Sequence, residues 1–434
     1  MRHKMSEVFV KINNKQLGPL NRREIKNLVV NGEFSQDDLV YHEDMQEWVA
    51  ANQIDELRTI FSDDQKQQRR KTVYAIGGGK GGVGKTVLCA SLGIGLATYD
   101  HQVVVVDADL GGANLHTCMG ILEPEYTFYH FYTLQRERLE DICLETPVDN
   151  LKLISGACGT LGFANPRYSQ KVRFIHQLRQ LDADYVLLDL GAGSSYNVID
   201  FFLAADEGIL VTTPDPMAIQ ETFNFLKIAI MRRFVREFRK KPAVLSVIDQ
   251  YMYSEPGKMQ FTMDDIIKDV KEIDDEASSY IEHYLANYHP HLILNMVHSS
   301  KEIREGDSFR MAAHDILNVD VDYMGFVEFD ESVRKSVKEL KPFVLSNPRS
   351  KASKNLAKLI AIGMLKKSGW TSIKEKRQVL QNFRAESADY PDTNMQESDT
   401  ICSVNCFYWG DCEYQEGGYP CPIRNLDPIF KRHG

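Results

Sequence analysis

Residues 73–97 read VYAIGGGKGGVGKTVLCASLGIGLA. A short apolar run with β character, 73–76, gives way to a glycine-rich turn, and a helical run follows at once. In such a turn the glycines let successive backbone N–H groups point inward around phosphate oxygens, and the helix behind directs its positive end at the same point. Gly79, Lys80, Gly81, Gly82, Val83, Gly84, Lys85 and Thr86 form the expected cradle. Lys85 is placed to contact the β- and γ-phosphates, and Thr86 to coordinate Mg²⁺ through its hydroxyl. The strand before and the helix after are the context that a P-loop requires.

Outward from this loop the chain alternates short apolar runs with helical segments: VVVVD at 103–107, YVLLD at 185–189, ILVTT at 209–213 and LILN at 292–295. Runs apolar on both faces, with helices between them, indicate an α/β fold with a mostly parallel sheet covered on both sides. Residues 243–290, with the acidic DDIIKDVKEIDDE, break the rhythm and read as an insertion, after which the pattern resumes through Leu365. The α/β domain is expected over 71–368, followed by a polar stretch at 371–400 and a cysteine-rich tail at 401–434. Ahead of it, 58–70 ends in the wholly polar SDDQKQQRR and reads as a linker. Residues 7–57 form a small α+β module: the alternation of Val8, Val10 and Ile12 predicts a strand, Gly18-Pro19 a turn, and Ile25, Leu28 and Val29 a helix stopped at Asn31-Gly32. Leu39-Val40-Tyr41 and Trp48 supply a second core element.

The 434 residues suffice for several domains, and 26% charged with 43% hydrophobic residues is an ordinary globular composition that disfavours wholesale disorder. A net charge of −10 argues against a nucleic-acid-coating protein. No apolar run reaches the length of a membrane span, and MRHKMSEVFVKINNKQLGP lacks the apolar stretch of a signal peptide. A cytoplasmic protein is therefore expected. Cys89, Cys118, Cys143 and Cys158 are scattered through apolar surroundings, as buried free thiols would be. Cys402, Cys406, Cys412 and Cys421 instead crowd together at C-x3-C-x5-C-x8-C spacing, with Pro422 after the last. Four thiolates could hold Zn²⁺ or an iron–sulfur cluster, or remain as free or redox-paired thiols. The stretch RRFVREFRKK at 232–241 is read as the end of a helix whose Phe234 and Phe238 pack inward while its arginines meet solvent, rather than as a helix lying on lipid or nucleic acid.

Asp107 and Asp109, two residues apart at a strand's C-terminal end, point toward one crevice, where open parallel sheets bind ligands. With Lys80 as a second lysine inside the loop, the pattern resembles the deviant Walker A motif of the MinD/ParA superfamily. The resemblance implies an ATPase that dimerises on ATP, with Lys80 reaching the partner's nucleotide. It places Asp107 on the Mg²⁺ side, Asp109 as the residue that orients the attacking water, Asp189 as the Walker B carboxylate, and Asn295 against adenine. Gly191 and Gly193 would sit in a switch loop. DLGGANLH at 109–116, DLGAGSS at 189–195, VTTPDP at 211–216 and PFVLSNPRSKAS at 342–353 look most like FlhG-type regulators of flagellar number. Residues 7–57 resemble the bacterial variant of the GYF domain, an adaptor for proline-rich peptides, which implies a protein partner. The expected function is a spatial or number regulator of a polar flagellum or similar structure, recruited to a pole or the inner membrane surface. A metal-cluster carrier or reductase using the tail cysteines, and a ParA-like DNA-segregation ATPase, are the alternatives.

Overall fold

The computed structural model describes residues 8–12, 15–20, individual positions between 25 and 57, 71–157, 166, 168–252, 261–365 and 378–383. The chain divides into two compact units, Met1–Lys71 and Thr72–Gly434.

In the first unit, strands β1 (Val8–Ile12), β2 (Lys15–Leu20), β3 (Leu39–Tyr41) and β4 (Val49–Ala50) form an antiparallel sheet in the order β2-β1-β3-β4. Val8, Val10, Ile25, Phe34, Val40, Ala51 and Leu57 are its buried core, so the alternation at Val8 and Val10 does set the inward face. The turn expected at Gly18-Pro19 is not there. Both residues lie inside β2, where Leu20 pairs with Val8 and Leu17 with Val10, and the register shifts between those pairs. Gly18 has φ +135°, and a Cβ on it would lie 2.9 Å from the Phe9 ring, so a glycine is what this irregular edge can carry. β2 ends the sheet, where a proline without an N–H is tolerated.

The second unit is built on β5 (Thr72–Gly77), β6 (Val103–Asp107), β7 (Leu144–Glu145), β8 (Leu151–Ile154), β9 (Tyr185–Asp189), β10 (Glu207–Thr212), β11 (His291–Val297) and β12 (Asp322–Glu328). Their order is β12-β11-β10-β5-β9-β6-β8-β7, and every pair is parallel except β7 with β8. The strands feed two cores by simple alternation. Val73, Ala75, Val104, Val106, Val186 and Leu188 face one layer of helices, and Tyr74, Ile76, Val103, Val105 and Leu187 face the other.

Helix α1 (Lys85–Ala97) follows β5 and is buried along nearly its whole length, as a helix apolar all round should be. On the opposite layer lie α2 (Tyr168–Leu178), α3 (Tyr196–Phe202) and the long α4 (Pro216–Glu237). Phe225 and Phe234 of α4 are fully buried, each worth about 1.5–3 kcal/mol relative to exposure. Phe238, just past its end, is buried as well. The segment read as an insertion is helical: α5 (Pro242–Met252), α6 (Met263–Lys271) and α7 (Asp275–Asn287) turn Val244, Ile248, Ile266, Val270, Ile281 and Leu285 into the core that holds Phe234. Helices α8 (Arg304–Leu317), α9 (Glu331–Lys338) and α10 (Lys351–Lys358) complete the unit. Among the described residues no helix is long and apolar enough to cross a membrane.

Candidate functional site

The parallel strands β5, β6, β9, β10 and β11 all deliver their C-terminal ends to one side of the sheet, and the turn between β5 and α1 lies there. Two features hold that turn in shape. A Cβ on Gly79 would lie 2.2 Å from the carbonyl oxygen of Glu221 in α4, so the loop packs backbone against backbone at that point. Gly84, at φ +92°, sits in the left-handed region and caps α1.

The two lysines of the loop meet different surroundings. Lys85 is buried, and its Nζ donates to the carbonyl oxygen of Lys80 at 3.3 Å. Burial pulls its pKa down, against the opposing charges of Asp189 and Asp109. The Lys80 side chain is 32% exposed, and its Nζ lies 3.2 Å from Asp215 Oδ2. Asp215 also accepts the Met217 N–H at 2.8 Å, capping α4.

Three carboxylates gather opposite the loop. Asp107, at the end of β6, is fully buried and accepts N–H groups from Leu115 at 3.0 Å and from Asp109 at 3.3 Å. Asp189, at the end of β9, pairs in register with Asp107 across the sheet and is likewise buried. Burial pushes the Asp107 carboxyl well above the usual range, and the neighbouring Asp189 adds to the shift. Asp189 itself is pushed up to about 7 by burial, despite the Thr86 hydroxyl and Lys85 beside it. Its Oδ1 is buried with no hydrogen-bond partner. Asp109 holds the turn after β6 through the Gly112 N–H, 3.1 Å from its Oδ1, and lies against Gly191. Asn295 of β11 donates from Nδ2 to the Val83 carbonyl at 2.7 Å, which ties β11 to the loop. Lys80, Lys85, Thr86, Asp107, Asp109, Asp189 and Asn295 thus share one crevice-side region of the sheet, as their strand-end positions led one to expect. Asp215 and the Glu221 carbonyl are contacts of the loop that sequence reasoning missed.

An orphaned, buried carboxylate oxygen beside a hydroxyl and a second buried carboxylate suits a hard divalent cation. Mg²⁺ is typically held by one or two carboxylates, with phosphate oxygens and water completing an octahedron. Among the described residues no group of three or more His, Cys, Asp or Glu is arranged to hold a metal by itself. Cys89 is buried, and Cys118 and Cys143 are half-buried free thiols with pKa values pushed up to about 12 by burial, so these three are inert fillers. Cys158 and the four tail cysteines lie outside the described residues.

Residues 69–234 match the ParA family model, described as NUBPL iron-transfer P-loop NTPase, and residues 9–57 match the model of GYF domain 2. Among curated proteins the chain is 27% identical over 284 residues to antiactivator FleN of Pseudomonas aeruginosa, covering 65% of this chain and 82% of that protein. It is 31% identical over 194 residues to the flagellum site-determining protein YlxH of Helicobacter pylori, covering 41% of this chain and 61% of that protein. Among solved structures it resembles the Mg-ADP complex of the septum site-determining protein MinD from Pyrococcus horikoshii OT3, with TM-score 0.45 and 22% identity over 68% of this chain and 97% of that one.

Proposed function

We propose that this chain, which carries a ParA/MinD-family P-loop ATPase domain behind a GYF-type N-terminal domain, is a nucleotide-driven monomer–dimer switch that sets the site or number of a cellular structure, with a flagellum the first candidate. The supporting observation is the division of labour between the loop lysines. Lys85 is sealed inside the cradle, whereas Lys80 stands at its rim, exposed enough to serve a second protomer and held meanwhile by Asp215.

In this reading Lys85 and the N–H groups of residues 79–86 bind the phosphates of ATP. Thr86, Asp189 and Asp107 hold Mg²⁺, which when bound supplies neutralisation of phosphate charge. Asp109 orients the attacking water from the turn after β6. Asn295 spends one amide N–H on Val83 and keeps its carbonyl oxygen to accept from the adenine amino group. Lys80 leaves Asp215 on dimerisation and neutralises the partner's nucleotide, and hydrolysis then releases the dimer.

The protein works in the cytoplasm at a pole or the inner membrane surface. Its Tyr41 and Trp48, half-buried with ring centroids 5.6 Å apart, give the N-terminal domain a pair of aromatic faces for a proline-rich segment of a partner. The spacing of Cys402, Cys406, Cys412 and Cys421 supports a zinc or iron–sulfur site in the tail, and anaerobically purified protein free of both metals would remove that part. The central test is Lys80→Ala. It should leave nucleotide affinity nearly unchanged and abolish ATP-dependent dimers in light scattering, and dimers at the parent level would reject the switch.

A further inference from the structure

Away from the nucleotide crevice, α2, α3 and the C-terminal end of α4 line a half-open cavity of about 410 Å³. Lys171 of α2 and Arg232, Arg233, Arg236 and Arg239 from the end of α4 and beyond it line this space, against the carboxylates of Asp200 and Glu237. Five cations against two acids leaves an excess of three positive charges in a chain whose net charge is −10. The acids are already committed. Asp200, buried at the base, pairs with Lys171, with Arg232 Nε at 3.0 Å and with Arg236 Nη1 at 3.7 Å. Glu237 lies 3.5 Å from Arg233 and accepts from the Tyr280 hydroxyl at 3.0 Å.

A helix C-terminus does favour cations, each by about 0.3–1 kcal/mol. That accounts for an arginine or two along α4, but not for Lys171, which comes from a different helix and is buried. Arg239, just past the end of α4, is exposed and makes no ion pair among the described residues, so its charge is available to a ligand. The base of the cavity is rigid: Lys171 Nζ also reaches Asn197 Oδ1 at 3.3 Å, and the Arg232 guanidinium lies 4.7 Å over the Tyr196 ring.

We propose that this cavity is an anion site for a phosphate-bearing ligand, either a phospholipid headgroup or a soluble phosphate compound. Its volume lies in the range of small-ligand pockets, roughly 300–1,000 Å³. Arginine forks match phosphate oxygens in bidentate fashion, and one phosphate brings up to two charges into a small space where a carboxylate brings one. Tyr196 and Asp200 belong to α3, the helix that begins where the 189–195 segment ends. A ligand held there touches the element next to the nucleotide crevice without entering it.

The test uses the full chain with Lys85→Ala, which weakens phosphate binding at the P-loop, so that a second site is read alone. Inorganic tripolyphosphate, titrated calorimetrically without Mg²⁺, should bind saturably. Adding Arg236→Ala and Arg239→Ala, both at exposed positions, removes only the 3.7 Å Arg236 contact from Asp200, which keeps Lys171 and Arg232, and should weaken binding at least tenfold. Arg236→Lys with Arg239→Lys should retain part of the affinity. Cosedimentation with phosphatidylglycerol vesicles but not phosphatidylcholine vesicles, lost in the double alanine variant, identifies the headgroup as the source. Tripolyphosphate binding without vesicle binding identifies a soluble phosphate. Equal binding by parent and double alanine variant, or binding of duplex DNA with no response to either phosphate probe, overturns the proposal.

Discussion

Lys80 and Lys85 are five residues apart, yet one answers to Asp215 across 135 positions of sequence and the other to the inside of its own loop. The P-loop residues, and the carboxylates at strand ends, were legible because a local motif and a strand end each fix a direction. Asp215 was not, because its closeness to Lys80 exists only once β5 and β10 lie side by side. Replacing it tests what the contact does. Asp215→Asn keeps a side-chain oxygen to cap α4 but removes the charge that holds Lys80. An exposed pair of this kind contributes little to stability, so ATP-dependent dimerisation should reach its midpoint at a modestly lower ATP concentration, with thermal stability nearly unchanged. Light scattering against ATP concentration reads the shift, and an unmoved midpoint means the pair does not restrain the lysine. Gly79 offers the opposite case, a residue whose importance is steric. In Gly79→Ala the new methyl meets the Glu221 carbonyl at 2.2 Å, and a backbone oxygen in a long helix cannot swing aside. Overpacking of this sort costs about 1–3 kcal/mol, and the loop must distort to relieve it. Nucleotide affinity should fall at least tenfold in a fluorescence titration, together with a lower unfolding midpoint.

Among the elements, the strands that sequence located, β5, β6, β9, β10 and β11, are those buried on both faces, where an unbroken apolar run is unmistakable. β8 carries Lys152 and is only four residues long, and β12 is half-exposed and interrupted by Gly325 at φ +137°, so neither announces itself. β11 also carries a feature no motif signals. His291, buried at its start, has Nδ1 2.9 Å from Asp322 Oδ2 of β12 and Nε2 3.2 Å from Glu207 Oε2 of β10, so one imidazole ties three adjacent strands. Burial lowers its pKa, but the two carboxylates overcome this and raise it to about 9. A pKa raised above the ordinary 6.5 means that the folded state holds the proton more tightly than the unfolded one. The resulting stability is complete below pH 6.5 and is lost as the pH rises through 9, by an amount of up to about 3 kcal/mol. Urea unfolding of the parent should therefore show a stability decline across that window. In His291→Gln the decline should be much shallower, and an identical slope in both proteins would mean that other groups titrate there.

At the scale of the whole chain, the decisive fact is that the two units have separate hydrophobic interiors. Val8, Val10, Ile25, Phe34, Val40, Ala51 and Leu57 form a closed small core, while the large unit packs its own two layers around the parallel sheet. The boundary between the units falls just after 62–70, a stretch with no apolar member, and such a stretch has nothing to bury. Less visible in sequence was that the helices at 242–287 share the interior of the large unit. Their amphipathic faces were masked by the acidic residues between them, and only packing shows Val270 and Ile281 buried in the same core as Phe234. The residues assigned to the nucleotide site are thus contained in one unit. Every residue assigned to the nucleotide site, from Gly79 to Asn295, lies in the second unit, and among the described residues no strand of the first contributes to its sheet. A chain lacking residues 1–62 should accordingly fold, hydrolyse ATP within about twofold of the full-length rate and dimerise on ATP, because the second unit keeps its own described cores and every assigned site residue. What it should lose is its place in the cell, since the paired faces of Tyr41 and Trp48 go with the deleted unit. Fluorescence microscopy of the tagged truncation beside a Trp48→Ala full-length chain reads this directly. Both should spread evenly through the cell while the purified truncation stays active. Normal localisation of the truncation would assign delivery to the second unit, and loss of its ATPase activity would show that the first unit supports the nucleotide site.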